Sequence, residues 1–284
     1  MKQAKKIWNG VNAKVRDFLA SLCFSGPSFL GMLMFFVAPF CVVIYYSFIA
    51  GALDHSFVGL KNYIAVWNNG AFQIAVKNTA VFSGLSVPLA VVLALVLALM
   101  LECRIPFKSQ FRTFFLSPMM VPVASIILVW QVLFHSNGVV NEFLMVFGAD
   151  KINWLKSDYC MVVIVSLFLW KNLGYNMILF MAALNNIPKE LIEAAELDGA
   201  NKFQQFVHII LPSIKTIVTL NVILSITGAL SAFEQPFVIT GGSNGTATYF
   251  INMNNIAHTS QKVGLASAMA VVLLLIIFAC TILQ

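Results

Sequence analysis

Long apolar runs, separated by short charged stretches, set the pattern of this chain. Crossing ~30 Å of hydrocarbon takes about 20 apolar residues in a helix, and six runs reach that length. Asp17 to Asp54 encloses the first, placed at Pro27–Ala50. Lys77 to Glu102 encloses the second, and Arg112 to Glu142 the third, centred on SPMMVPVASIILVWQVLF. The fourth runs from Tyr159 to Leu184 and is interrupted by Lys171. The fifth, Lys215 to Thr240, carries Glu234 near its far end, and the sixth covers Val263 to Leu283. The pattern predicts an all-α integral membrane protein with six transmembrane helices. Residues 27–284 form one membrane domain.

Residues 1–26 differ. They are basic, with Ile7, Val11, Val15, Phe18, Leu19 and Leu22 at near-helical spacing. That suits a helix lying on the membrane face before the first span. A cleaved signal peptide is the rival. The apolar run that follows is too long for one, and no small-x-small cleavage site precedes a soluble domain.

Composition agrees with the pattern. The chain is 60% hydrophobic and only 10% charged, with twenty-five Phe residues and a mean hydropathy of +0.88. A soluble chain of 284 residues could not hide that much apolar surface, whereas lipid accepts it. The formal charge of +6 is therefore read through topology and not as a nucleic-acid footprint. With a cytoplasmic amino terminus, eleven basic residues fall inside: Lys2, Lys5, Lys6, Lys14, Arg16, Arg104, Lys108, Arg112, Lys189, Lys202 and Lys215. Five fall outside: Lys61, Lys77, Lys151, Lys156 and Lys262. The positive-inside rule thus favours both termini in the cytoplasm, which also puts the loop after the fourth span there.

That loop, at 185–214, is the least membrane-like part of the chain. Four of the eleven acidic residues lie between Glu190 and Asp198. Pro188 suits the first turn of a helix, Glu190 and Glu193 sit near the positive end of its dipole, and Gly199 can end it in the left-handed conformation. Such a short helix is not stable alone in water, so the rest of the loop or another protein must hold it. Ala194 and Ala195 keep one side slim. Phe203, Phe206, Val207 and Ile210 mark a second helical face leading to Leu211–Pro212.

Other chemistry is sparse. The cysteines at 23, 41, 103, 160 and 280 show no CxxC pair, and the four histidines show no metal-binding spacing. GGSNGTAT at Gly241–Thr248 lacks the lysine of a phosphate loop, so the chain is expected to hold no nucleotide, cofactor or metal itself.

The loop carries a family pattern. Glu193, Ala194, Ala195, Asp198, Gly199, Ala200, Phe206, Ile209, Leu211 and Pro212 resemble the EAA loop of binding-protein-dependent ABC importer permeases. FVGLKNY at Phe57–Tyr63, FRTFFLSPMMVP at Phe111–Pro122, WKNLGYNMILFMAALNNIP at Trp170–Pro188 and FVITGG at Phe237–Gly242 resemble the sugar-permease branch. Two departures are Ser243, where the family often has Pro, and the end at Gln284 without the usual short polar tail. The resemblance implies a type I importer fold in the bacterial inner membrane. It implies that Glu190, Glu193, Ala194, Ala195, Asp198, Gly199 and Ala200 form a coupling helix docking on an ATPase. It also implies the partners: a second permease, two ATPases holding ATP and Mg, an extracytoplasmic solute-binding protein, and a sugar or oligosaccharide. The competing reading is a stand-alone ion-coupled carrier using Lys171 and Glu234 as intramembrane ionisable groups.

In the resembling family, the fourth span and the middle of the fifth line the path. The candidates are Trp170, Lys171, Gly174, Tyr175 and Met177, then Thr227, Ser231, Glu234 and Gln235. Trp170, Gly174 and Met177 share one helical face. Each candidate has a plainer reading: Trp170 as a packing or interfacial aromatic, Ser231 bonding its own backbone, and Glu234 meeting water at the outer interface. Lys171 must pair, face water or bind something. An acidic sugar would be a natural ligand for it, and the same position could serve neutral ones.

Overall fold

The computed structural model describes residues 2–102 and 106–283, with side chains from Val15 onward except Arg16 and Leu283. Cys103, Arg104 and Gln284 lie outside the described residues. So do the side chains of Lys2, Lys5, Lys6, Lys14 and Arg16, which entered the charge count.

Helix α1 (Lys2–Met32) runs without a break through the boundary drawn after Gly26. A π-turn at Leu33–Val37 then leads into α2 (Ala38–Ser47), where Pro39 withholds its N–H. Together these make the first span, Asp17–Ser47, longer than expected from the sequence. A turn seals its end: Ser47 Oγ meets the Tyr63 hydroxyl at 2.8 Å on α3 (Lys61–Trp67), and Asn62 donates to the Ser47 and Ile49 carbonyls.

The second span is α4 (Gly70–Glu102), bearing Ala90, Ala94 and Ala98, all fully buried. Spaced every four residues, they present one slim face, which lets a neighbouring backbone come close where lipid gives no hydrophobic drive. The fourth span, α8 (Cys160–Asn185), packs along α4. Between them lie α5 (Lys108–Met120), α6 (Val123–Leu133) and the short α7 (Val139–Val146).

The sequence predicts a third span between Arg112 and Glu142, and the structure builds this stretch from two helices. Helices α5 and α6 meet at a 103° bend. The cause is Val121–Pro122: Val121 is extended (φ −82°, ψ 131°), as a residue before proline prefers, and Pro122 has no N–H to carry the ladder on.

After the acidic-loop helix α9 (Lys189–Leu197) come α10 (Lys202–Gln205), a π-turn at Phe206–Ile210 and α11 (Leu211–Ser213). The fifth span is also interrupted, α12 (Lys215–Leu230) giving way to α13 (Glu234–Thr240) across Ser231–Phe233. Helix α14 (Tyr249–Asn254) and a π-turn at Asn255–Thr259 precede α15 (Val263–Leu283), which packs on α2. Among the described residues, five helices are long and apolar enough to cross a membrane, and six if the bent α5–α6 pair counts as one span. Three buried clusters fill the bundle: Phe82, Ile127 and Leu167 near the breaks, Met177, Phe180 and Ile214 towards the acidic loop, and Phe72, Tyr249 and Met269 against α15.

Candidate functional sites at the helix breaks and the acidic loop

The two interrupted spans converge. Around their breaks lies a cavity of about 440 Å³, lined by Met119, Val123, Phe168, Lys171, Asn172, Gly228, Ser231, Ala232, Phe233, Glu234 and Gln235. Breaking a span frees backbone polar groups, which are tolerable at membrane depth only beside protein or water. Phe233 stacks on Phe237 with ring centroids 4.8 Å apart, and Phe168 meets Phe82 edge-on at 5.4 Å, so the apolar wall is braced from behind. Asn172 donates to the Phe168 carbonyl at 2.8 Å, leaving its side-chain oxygen as an acceptor. Lys171 and Glu234 line the same space, yet among the described residues no ion pair within 4 Å joins them. A cation and a carboxylate held apart in one cavity can each take a polar ligand group.

Not every fourth-span residue expected at this wall reaches it. At roughly 100° per residue, Phe168, Lys171 and Asn172 share the face of α8 that meets the cavity, and exposed Tyr175 extends that face by one turn. Trp170, Gly174 and Met177 form the opposite face. Trp170 packs on Trp130 of α6 at 5.3 Å, and Met177 is fully buried between α4 and α12. Gly174 lies on the α5 backbone, where a Cβ would sit 1.9 Å from the Phe115 carbonyl oxygen. On α12, Thr227 is half-buried and off the lining, its carbonyl accepting from the Ser231 N–H at 3.1 Å. Ser231, Glu234 and Gln235 all line the cavity. Phe168, Asn172 and Phe233 were missed; only the chain's path at the breaks reveals them.

The acidic loop is a second built site. Pro188 is the residue before α9, extended at ψ 130°, one place earlier than the first helical turn. Glu190 lies in the first turn, where the dipole favours it. The helix ends in a Schellman motif: the Gly199 N–H donates to the Glu196 carbonyl at 3.1 Å and the Ala200 N–H to that of Ala195 at 2.9 Å, with Gly199 at φ +80°. A capping box follows at once. Asn201 Oδ1 accepts from the Gln204 N–H at 2.9 Å while Gln204 Oε1 accepts from the Asn201 N–H at 2.8 Å. Buried Gln205 donates to the Ala200 carbonyl, and Lys202 clasps Glu196 across the turn, holding that carboxyl below its ordinary range. The loop thus holds its own helix. It presents Leu191, Glu193, Ala194, Leu197 and Phe203 outward, beside a cleft of about 300 Å³ bounded by Asp198, Gly199, Gln204 and His208. Asn201 and Gln204 were overlooked in the sequence, although N-x-x-Q was there to read.

Apolar spans broken around a polar cavity, with a stapled acidic loop at one end of the bundle, define a membrane transport protein. Residues 86–284 match the family described as "Binding-protein-dependent transport system inner membrane component", and the chain belongs to that family. It is 32% identical over 239 residues to the probable ABC transporter permease protein YurN of Bacillus subtilis (strain 168), covering 81% of this chain and 82% of that one. It is 30% identical to the arabinooligosaccharides transport system permease protein AraP of the same organism, over 93% of this chain and 87% of AraP. Its fold matches a chain of a bacterial alginate ABC transporter solved with its alginate-pentasaccharide-bound periplasmic protein. There the TM-score is 0.84 at 20% identity, with 98% and 95% of the two chains covered. The protein is a permease subunit of an ABC importer, and the stand-alone carrier reading is set aside.

Proposed function

We propose that this permease carries saccharides and forms half of a pathway whose wall is the cavity at the two helix breaks. The observation behind it is the cavity itself: a cation, a carboxylate, an amide oxygen and a hydroxyl beside aromatic side chains. Sugars need that mixture, with polar groups replacing water at the hydroxyls and apolar faces covering the ring. The arabinooligosaccharide relative supports the same class. Lys171, Ser231, Glu234 and Gln235 are the residues we assign to substrate, with Tyr175 one turn along the path. Trp170, Gly174, Met177 and Thr227 support the wall from behind.

Glu190 to Ala200 is, in this reading, a coupling helix that seats on an ATPase subunit. Two ATPases, holding ATP and Mg, would swing it as a stiff lever and rock the spans between inward- and outward-open states. A second permease would supply the other half of the path, and a solute-binding protein would deliver the sugar from outside. Both termini and the acidic loop are then cytoplasmic, in a bacterial inner membrane.

Uptake into liposomes by the purified complex tests the path. Lys171→Met and Glu234→Gln should each lower sugar uptake while basal ATP hydrolysis persists. The double variant separates two roles: recovery marks an internal ion pair formed during the cycle, and continued failure marks substrate contact. Normal uptake in both single variants would move the path elsewhere.

A further inference from the structure

Helix α7 has its polarity turned inside out. Asn141, fully buried, is its inward anchor: it donates to the Ser136 and Ile152 carbonyls at 2.9 and 2.7 Å and accepts from the Ile152 N–H and Trp154 Nε1 at 3.2 and 3.0 Å. Val139, Phe143, Val146 and Phe147 occupy the opposite side, at i, i+4, i+7 and i+8, and all are exposed, Val146 by 81%. A helix beside water places these residues the other way round. Phe143 and Phe147 pair edge-on at 5.1 Å and so form a continuous apolar ridge.

Its surroundings say what covers that ridge. Asn141 ties α7 to Trp154, whose ring meets Phe134 at the end of α6 and Tyr159 just ahead of the fourth span. Trp and Tyr gather where hydrocarbon gives way to headgroups. The exposed apolar side of α6 at Leu128 and Val132 meets Val139 across a groove that Gln131, His135, Asn137 and Glu142 also line. α7 precedes the fourth span and the acidic loop follows it, so α7 lies at the far membrane boundary from that loop.

We propose that α7 is a membrane-seated interfacial helix, its Val139–Phe143–Val146–Phe147 ridge sunk among the lipid chains of that leaflet. Short amphipathic helices bury such a face ~5–10 Å into the headgroup boundary. This goes beyond the sugar pathway and does not depend on it. Asn141 then fixes the 134–159 connection at a set depth.

The test places a fluorophore on cysteines introduced at Phe143, Val146 and Asn137, one at a time. It uses the full-length chain with its native cysteines replaced, in phospholipid nanodiscs. Labels at 143 and 146 should be quenched severalfold more by shallow nitroxide-labelled lipid than by aqueous iodide, with the reverse at exposed 137. Iodide quenching at 143 and 146 equal to that at 137 would overturn the proposal and mark a face for a soluble protein. Protection from both quenchers in the assembled transporter would overturn it in favour of a second subunit. Should Phe143→Cys disturb the turn, the more exposed Val146 carries the same reading.

Discussion

The acidic loop and the cavity are built by opposite means. Every bond that staples the loop joins residues at most six apart: Asn201 with Gln204, Gln205 with Ala200, Lys202 with Glu196. The cavity draws its wall from three distant stretches, 119–123, 168–172 and 228–235, brought together by packing. A locally bonded unit can move as a rigid body and keep its shape. A wall assembled from separate helices changes shape whenever they shift. In the function proposed above, that is the construction a lever and a path would each require.

The sharpest way to test that contrast is at Gly174. Any side chain there overlaps the Phe115 backbone. Gly174→Ala should cost about 1–3 kcal/mol or more through overpacking, lowering the melting temperature of the detergent-solubilised protein and opening the α5–α8 contact. A variant with normal melting and uptake would show that the cavity wall does not depend on the Gly174–Phe115 contact.

Next in size is Gly199→Val. It forces a β-branched residue to φ +80°, which costs about 1–2 kcal/mol. The spans should stay folded while ATPase co-purification and sugar-stimulated hydrolysis fall. Loss of membrane insertion instead would show that loop and bundle are not separable. Asn201→Ala removes one half of the capping box and should loosen the loop by about 1 kcal/mol. Faster amide exchange confined to residues 189–210 would report it.

The smallest effect is a pH response. Hydrogen bonding from Lys202 lowers the Glu196 carboxyl below its ordinary value. The clasp therefore contributes fully above the unfolded carboxylate range and is lost as pH falls through the lowered value. As an exposed pair it is modest and weakens with salt. Amide protection at Ala200, relative to its intrinsic exchange rate at each pH, should stay constant near neutrality and fall only in acid, and Glu196→Gln should abolish the change.

Locality also explains what could be read in advance. The limits of α9 were legible because Pro188, the early glutamates and Gly199 act on their immediate neighbours. Lys171 and Glu234 were legible because a charge in an apolar run must do something. The face of α8 was not. Trp170, Gly174 and Met177 do share a side, but Trp130, Phe115 and the α4–α12 core occupy it, and neighbours distant in sequence made that choice. The third span's bend was half-legible: Val121–Pro122 announces a break, whereas two residues do not spell out a 103° angle.

The bare contact between Gly174 and Phe115 has one more consequence. Where two backbones touch with no side chain between them, the elements can pivot but cannot easily draw apart, since separation opens a void on both sides. Lys171 and Met119, both on the cavity wall, lie one turn from that contact on their respective helices. If the cavity is the path proposed above, the contact would act as a bearing beside it, turning a tilt of the fourth helix into a change in the cavity's width.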